Sequence, residues 1–315
     1  DPARVSGDAE FTYELFRPAL DDVPYEKLRF TGLGTIRNGG LKGAAFGLDL
    51  TGAMMKVDLD QNGIKMTGQG ALGASPVDFV WTDRFAEDDK PANLSAKGFV
   101  SADFLNSFGM VGRAYMAGEA PLDLVATLDG ANLETASAKI DFTDARLDMA
   151  EIGWLKPRGG ASKATVDYKR TGDTATSRVK FSADGAALDG DFTLNVNDSK
   201  LVSADLRRAY FRNVSDVSVK MSRGISGQPV LNLGGAYLDI SGLMPGLTGL
   251  SGEETGDGAP MSLSAAVDRL TVRPGLDLRD ANLTLMTGKA GLETLTASGV
   301  ATGGAPIVAS IDATG

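Results

Sequence analysis

The stretch LDLTGAMMKVDLDQNGIKM, residues 48–66, alternates apolar and polar side chains over two successive segments. Its apolar members include Leu48, Leu50, Val57, Leu59 and Met66. A period of two residues indicates β-strands that bury only one face. Asn62-Gly63, between the two segments, predicts a two-residue hairpin turn, because type I′ turns need a positive φ at both central positions.

The same alternation recurs along most of the chain. It continues at Val77, Phe79 and Trp81, and it returns in the segments 121–129, 133–142 and 186–196. Further strands are predicted at 145–150, 163–170, 176–183, 200–211, 214–222, 262–272, 276–287, 292–301 and 306–312. Spacings of about 8–12 residues between short strands are typical of extended antiparallel β-structure.

Only two segments have a helical pattern. Residues 101–117 can form a helix that Ser101 caps and that Gly109 and Gly112 end early, which leaves a short helix near 101–109. A second helical turn is predicted at 241–247. The fold class is therefore all-β, with one or two short helices.

Composition excludes several classes of function. The 315 residues carry a net charge of −10, which argues against nucleic-acid binding and against docking on anionic membranes through a basic patch. The chain has no Cys and no His. Disulfides, cysteine nucleophiles, Ser-His-Asp triads and most zinc sites are therefore excluded, and only carboxylate, Lys, Tyr or Ser chemistry remains for catalysis.

The chain is predicted to consist of three consecutive segments. Residues 1–250 form a β-groove segment, residues 251–260 (SGEETGDGAP) form a flexible loop, and residues 261–315 continue the strands. The alternative is one continuous domain. The sequence begins and ends abruptly and has no stretch of about 20 apolar residues. We therefore expect a piece of a longer protein whose targeting or anchoring segment lies outside this sequence.

Two short motifs match ligand-binding patterns and are better explained by strands. Asp58 to Gly63 resembles the start of a calcium loop, but the twelfth position, which needs a Glu, is Gln69. Gly68-Gln69-Gly70-Ala71-Leu72-Gly73 matches a dinucleotide-binding pattern, but Pro76 and the following alternation indicate a strand where that site needs a helix.

Charged residues leave two alternatives open. Carboxylates such as Asp123, Asp141, Asp189 and Asp191 fall on polar faces or in turns, where a solvated surface is the simpler interpretation and a polysaccharide-cleaving β-solenoid is the alternative. Arg207, Arg208 and Arg212 form either a lipid-headgroup or partner site or a solvated sheet face.

The apolar faces of the strands need a cover. A second sheet would provide one, as in a β-sandwich. A single curved sheet would instead leave one long apolar concave face for a ligand. The regular polar faces, the scarcity of helices and the low aromatic content of 7% are compatible with the single sheet.

Three stretches carry a resemblance to a known family. The first is 47–72 followed by 76–85, the second comprises 101–109, 117–130 and 145–162, and the third is 265–312. The most characteristic short motif is Ile152-Gly153-Trp154-Leu155-Lys156-Pro157. These stretches resemble the AsmA-like superfamily of Gram-negative bacteria, especially YhdP-like members with an AsmA-type C-terminal region. The motifs are degenerate patterns of apolar residues and glycines, and they contain no catalytic signature.

The resemblance implies a non-enzymatic, periplasmic lipid-transport protein. Such proteins have a long, twisted antiparallel β-sheet curled into a U-shaped apolar groove, which shields phospholipid acyl chains between the inner and outer membranes. The implied inner-membrane anchor and outer-membrane contact lie outside this sequence. No cofactor, metal or nucleic-acid partner is implied, and the oligomeric state is not assigned.

Inward-facing apolar residues are the predicted contacts of the acyl chains. They are Phe30, Leu48, Leu50, Val57, Leu59, Met66, Phe79, Trp81, Leu124, Ile140, Phe142, Phe192 and Leu194. Helix 101–109 is expected to cap one end of the groove. The alternative function is that of a surface or secreted β-solenoid or sandwich that binds or cleaves polysaccharide or acts as an adhesin.

Overall fold

A computed structural model describes residues 2–19, 23–24, 27–45, 48–85, 91–106, 115–130, 132–198, 200–242, 260–288 and 291–312. The protein is almost entirely β, with 77% of residues in strands and 4% in helices. The predicted all-β class and the antiparallel sheet are confirmed.

Twenty-one strands follow one another along the described chain. The first eleven are β1 (Val5–Phe16), β2 (Arg29–Ala45), β3 (Leu48–Asp60), β4 (Gly63–Leu72), β5 (Ser75–Arg84), β6 (Ala92–Ser101), β7 (Met116–Ala117), β8 (Glu119–Asp129), β9 (Asn132–Asp141), β10 (Arg146–Met149) and β11 (Trp154–Lys156). The others are β12 (Ser162–Thr171), β13 (Thr174–Ala183), β14 (Ala186–Asn195), β15 (Leu201–Phe211), β16 (Ser215–Arg223), β17 (Pro229–Asp239), β18 (Met261–Arg273), β19 (Leu276–Gly288), β20 (Gly291–Ala301) and β21 (Pro306–Asp312). β1, β6, β7, β11 and β17 are absent from the predicted strands, and β7 lies at the end of the segment predicted as a helix at 101–117.

The strands pair in the order in which they occur in the sequence. Eighteen of them belong to one hydrogen-bonded sheet, in which β1 to β6 are followed by β8, β9 and then β12 to β21. Every pair whose register is described is antiparallel except β17–β18, which is parallel. The remaining strands, β7, β10 and β11, form a small sheet of their own.

The chain divides into two compact units. Unit 1 contains Asp1–Leu147 and Thr165–Lys169, and unit 2 contains Asp148–Ala164 and Arg170–Gly315. The predicted loop at 251–260 lies outside the described residues except for Pro260. The prediction of three consecutive segments stays a prediction.

Helix α1 (Ala102–Asn106) is where the sequence places its first helix. The backbone N–H of Phe104 donates to the Ser101 hydroxyl at 3.1 Å, which is the predicted N-terminal cap. Residues 107–114 and 243–247 of the two predicted helical segments lie outside the described residues. The helical prediction is wrong at Met116–Ala117, which form strand β7.

The β3–β4 hairpin exists, but its turn lies one residue earlier than predicted. Asp60 pairs directly with Gly63, so the two turn residues are Gln61 and Asn62. The Asp60 carboxylate accepts the backbone N–H groups of Asn62 at 2.7 Å and Gly63 at 3.0 Å. This Asx-type contact closes the turn without a positive φ at Asn62 or Gly63, and it also explains the resemblance to a calcium loop.

Gly63 is required by close packing and not by its φ angle. A Cβ at this position would overlap the backbone carbonyl oxygen of Asp83 on the neighbouring strand β5. Gly68 and Gly70 of the dinucleotide-like motif are likewise strand glycines, and their Cβ positions face Met55 and Ala53 of β3.

We expect Gly63→Ala to lower the free energy of unfolding by about 1–3 kcal/mol, because a strand backbone must shift to relieve the overlap. Gly303→Ala is the matched control, since no heavy atom lies within 4 Å of its Cβ position. Urea denaturation of both variants measures the difference. Equal stabilities would show that the β4–β5 pair absorbs the methyl group without strain.

Candidate functional site

One face of the unit 1 sheet carries apolar side chains in continuous rows across the strands. Direct pairing in successive strands builds each row. One row is Phe11, Gly34, Val57, Met66, Trp81, Leu94, Ala126 and Ala136. The next is Ala9, Ile36, Met55, Gly68, Phe79, Ala96, Leu124 and Ala138. These rows and their neighbours on the same side are called the apolar face of unit 1.

Eleven of the thirteen predicted contact residues belong to unit 1, and the register places them on this one face. Val57, Met66 and Trp81 lie in the first row, and Phe79 and Leu124 lie in the second. The other six lie in adjacent rows or at the ends of the strands: Phe30, Leu48, Leu50, Leu59, Ile140 and Phe142. Val57 is buried, whereas the other ten are half-buried.

The apolar face is most exposed at β1, which is absent from the predicted strands. Phe11, Tyr13 and Leu15 pair with Gly34, Gly32 and Phe30, and they therefore belong to the apolar face. Their residues are 48%, 76% and 60% exposed. Large apolar side chains with this much exposure have no second protein layer over them.

Glycines make the lining of this face one side chain thick. The Phe11 ring occupies the space that a Cβ of Gly34 would need. The Met55 side chain likewise occupies the space that a Cβ of Gly39 or of Gly68 would need. A neighbour's side chain therefore lies flat on the backbone at these positions. The result is an apolar surface that fills the gaps between strands without adding a second layer.

Helix α1 covers one end of the apolar face. Val100, Met116, Ala120 and Ala145 form a buried group in unit 1, with exposed fractions of 4% or less. Partly buried apolar residues pack against it: Phe104, Leu105, Leu122, Ile140, Phe142 and Leu147. This set is called the α1 cluster, and it includes the predicted contacts Ile140 and Phe142.

Unit 2 also has an apolar face, and it contains the two remaining predicted contacts. Phe192 pairs with Ser177 and Ala204, and Leu194 pairs with Ala175 and Leu201. Both predicted residues are half-buried.

Trp154, from the characteristic motif at 152–157, closes part of the unit 2 face. Its ring is 5% exposed and meets Phe181 and Phe211 edge-on, at centroid distances of 6.2 Å and 5.6 Å. Gly153 precedes it with a φ of 65°, in the left-handed region that glycine adopts readily. The motif therefore has a packing role in unit 2.

Farther along unit 2, the apolar face becomes a closed core. Leu270 is 0% exposed and Leu278 is 2% exposed. Around them lie further buried residues, including Val217, Ile240, Ala265, Val267, Leu283, Leu285 and Leu295. We call this set the C-terminal cluster. Side chains packed to this degree leave no room for a ligand. The predicted apolar faces are therefore half-buried in some strands and fully buried in others.

The arginine group of unit 2 is neutralised on the polar face. Arg207 forms ion pairs with Asp189 and Asp191, the latter at 2.6 Å. Arg208 pairs with Asp216 at 3.0 Å. An anionic headgroup would therefore have to displace carboxylates that these guanidinium groups already hold, and the solvated-face interpretation is favoured.

A bulge explains why consecutive arginines share that face. Asp189 pairs with Arg208 and Gly190 pairs with Leu206, so Arg207 is an extra residue in β15. In a regular strand, Arg207 and Arg208 would point to opposite sides. Sequence alternation alone gives no sign of such a bulge.

We expect Arg207→Gln to raise the pKa of Asp189. The hydrogen bond from Arg207 holds the pKa of that carboxyl below its ordinary value, with smaller contributions from the charges of Lys180 and Arg178. A lowered carboxyl pKa stabilises the fold above the ordinary pKa, and this contribution is lost as the pH falls through the folded-state pKa. The expected effect on stability is small because the pair is exposed to solvent.

Carboxyl chemical shifts followed by NMR through an acid titration measure the change. Arg178→Gln is the matched control, because Arg178 bonds Asp191 at 3.2 Å and affects Asp189 only through its charge. An Asp189 titration that is unchanged in Arg207→Gln would contradict the pairing.

A shallow depression of about 630 Å³ lies on unit 1, lined by side chains of the polar face. Asp78, Lys97, Phe99 and Asp123 contribute to it, and Lys97 and Asp123 are 3.5 Å apart. Among the described residues, no group of three or more acidic side chains is placed to hold a metal ion.

Comparison with protein-family models, curated proteins and solved structures finds no match to this chain. The resemblance to the AsmA-like superfamily therefore stays a prediction from the sequence motifs. Within the part of the chain that the structure describes, no helix has the length and apolarity needed to span a bilayer.

Proposed function

We propose that this chain is a segment of an AsmA-like lipid-transport protein of the periplasm, in which the apolar face of unit 1 shields phospholipid acyl chains. The predicted membrane contacts, inner and outer, belong to parts of the protein outside this sequence. On this proposal the segment is not an enzyme, and its task is to hold hydrocarbon away from water.

The observation that carries the proposal is the exposed, one-layer apolar face. Rows of large apolar side chains cross the strands of unit 1, and Phe11, Tyr13 and Leu15 on the same face are about half to three-quarters exposed. A water-exposed apolar surface of this kind marks an interaction site in a folded protein. Among the described residues, the two rows that define this face consist of apolar side chains and glycines, which do not select a polar ligand.

The energetics suit a weakly selective hydrocarbon site. Full burial of a methylene is worth about 0.8 kcal/mol, so a chain of a dozen gains about 10 kcal/mol when fully enclosed. An open face covers one side of the chain and gives about half of this. Such a gain favours binding and still permits movement, which is what a conduit requires.

Tryptophan fluorescence offers a direct test, because the chain has only two Trp residues. Trp81 lies on the apolar face of unit 1, and Trp154 is buried against Phe181 and Phe211 in unit 2. In Trp154→Phe, all tryptophan emission comes from Trp81. We expect phosphatidylcholine with brominated acyl chains to quench this emission, since bromine quenches only at close range.

The matched control is Trp81→Phe, in which the emission comes from the buried Trp154. It should be quenched much less by the same lipid. Unbrominated phosphatidylcholine gives the baseline for both variants. The proposal would be refuted if the lipid does not quench Trp81 emission and native mass spectrometry also detects no bound phospholipid.

The depression on the polar face supports a second candidate, polysaccharide binding. It places two carboxylates, Asp78 and Asp123, near the partly exposed ring of Phe99. Oligosaccharide binding that is lost in Phe99→Ala and unaffected by lipid would favour this alternative.

A further inference from the structure

We infer that an acyl chain lies along the strands of unit 1, with its methyl end at the α1 cluster and its headgroup end at the opposite ends of the strands. This inference rests on the proposed function and adds the direction in which the lipid enters the face. It follows from the unequal chemistry of the two margins of the face.

The two margins are defined by the register of the central strands. Ser75, Ser101 and Glu119 end up on one side, which is called the helix margin because α1 begins there. The turn at 61–62, Arg84 and Asp129 lie on the other side, which is called the turn margin.

The helix margin is closed by apolar packing. Val100 at the end of β6 and Ala120 at the start of β8 are 2% and 0% exposed, and they pair directly with each other. Phe104 and Leu105 of α1 pack against this group. A polar headgroup placed here would lose its hydration without a polar partner, which costs several kcal/mol.

The turn margin is polar even on the apolar face. Asp83 pairs directly with Ile64, which puts this residue in the same alternation as Trp81 and Phe79. Exposed Asn62, Arg84 and Asp129 lie at the ends of the neighbouring strands. Along β5 this face therefore changes from the charged Asp83 through Trp81, Phe79 and Val77 to the buried, uncharged Ser75. The charge at the turn margin matches the polarity of a phospholipid from headgroup to methyl end.

The depth of the face suits one acyl chain. Leu128 marks the turn margin along β8, and Leu122 packs against the α1 cluster, so the open stretch between them is six residues, or about 20 Å at about 3.4 Å per residue. Half of a bilayer's hydrocarbon core is about 15 Å thick. An acyl chain entering from the turn margin therefore ends near Leu122, at the edge of the α1 cluster.

Two reporters at different depths test this orientation. Trp81 lies two residues from Asp83, near the turn margin, and Phe142 packs against the α1 cluster at the helix margin. The first reporter is Trp154→Phe, which keeps Trp81. The second is Phe142→Trp in a background of Trp81→Phe and Trp154→Phe.

Each protein is titrated with phosphatidylcholine brominated either near the carbonyl end or near the methyl end of the acyl chain. We expect a larger loss of Trp81 emission with carbonyl-end bromines, and a larger loss of emission from the Phe142→Trp protein with methyl-end bromines. Leu122→Trp in the same background replaces the second reporter if Phe142→Trp does not fold, since Leu122 also packs against the α1 cluster.

The outcomes separate this inference from the proposed function. Quenching at both depths with the opposite order, or with no dependence on bromine position, overturns the orientation and leaves hydrocarbon binding intact. Quenching at neither depth overturns both.

Discussion

Phe79→Asp combined with Leu124→Asp should weaken phospholipid binding by about 100-fold or more, because each tenfold loss of affinity corresponds to about 1.4 kcal/mol. The two positions lie in one row of the apolar face, separated only by Ala96 of the intervening strand. Two carboxylates there would be covered by hydrocarbon in the complex, and a charge without a partner is strongly disfavoured in such surroundings. Co-purification measured by native mass spectrometry, and bromolipid quenching of Trp81, report the loss.

The matched control introduces two aspartates on the polar face of the same strands, β5 and β8. Val80→Asp with Val125→Asp changes the next residue in each strand, and Val125 is 56% exposed on the polar face. This variant should bind phospholipid as the unmodified protein does. Equal losses in the two double variants would show that destabilisation of β5 and β8, and not the loss of an apolar contact, is being measured.

Leu270→Ala should lower the free energy of unfolding of unit 2 by about 3–5 kcal/mol, as expected for a cavity at a fully buried leucine. Leu270 is 0% exposed, belongs to the C-terminal cluster and pairs directly with Leu278 of β19. Urea denaturation followed by Trp154 emission in a Trp81→Phe background confines the signal to unit 2.

Leu194→Ala, in the same unit, is the control for this experiment. Leu194 is half-buried and lies on the part of the unit 2 face that includes Phe192. Its truncation should cost about 1 kcal/mol, because less apolar surface is lost and no enclosed cavity forms. If the two truncations have equal costs, the C-terminal cluster is not packed more tightly than the rest of the unit 2 face.

Much of the fold could be predicted from the period of the apolar residues. Alternation placed β13, β14 and β19 within two residues of their ends, because a half-covered strand shows its pattern directly in the sequence. β17 was missed because Gly234 and Gly235 interrupt its alternation. β1 was missed although Phe11, Tyr13 and Leu15 alternate with Thr12 and Glu14, because this alternation covers only the second half of the strand.

The face on which each predicted contact lies could also be predicted, whereas the degree of cover could not. Leu122 and Leu124 alternate with polar residues in the same way as Leu283 and Leu285. The first pair is half-buried in unit 1, and the second pair is buried in the C-terminal cluster. Cover depends on which distant strands and helices approach the face, and a local pattern carries no information on this.

We expect the parallel pair β17–β18 to form more slowly than the antiparallel pairs of the sheet. The other pairs with described register join strands by antiparallel pairing, and most of these strands are neighbours in sequence, so each new strand can pair soon after it is synthesised. Before β18 can pair, the chain must return from Asp239 to the level of Val230, about 30 Å at about 3.3 Å per residue. Closing this longer connection lowers the conformational entropy of the chain before the β17–β18 hydrogen bonds and contacts can stabilise it. We therefore expect the β17–β18 pair to form after the local antiparallel pairs on either side of it, including β18–β19, in which Leu270 pairs with Leu278.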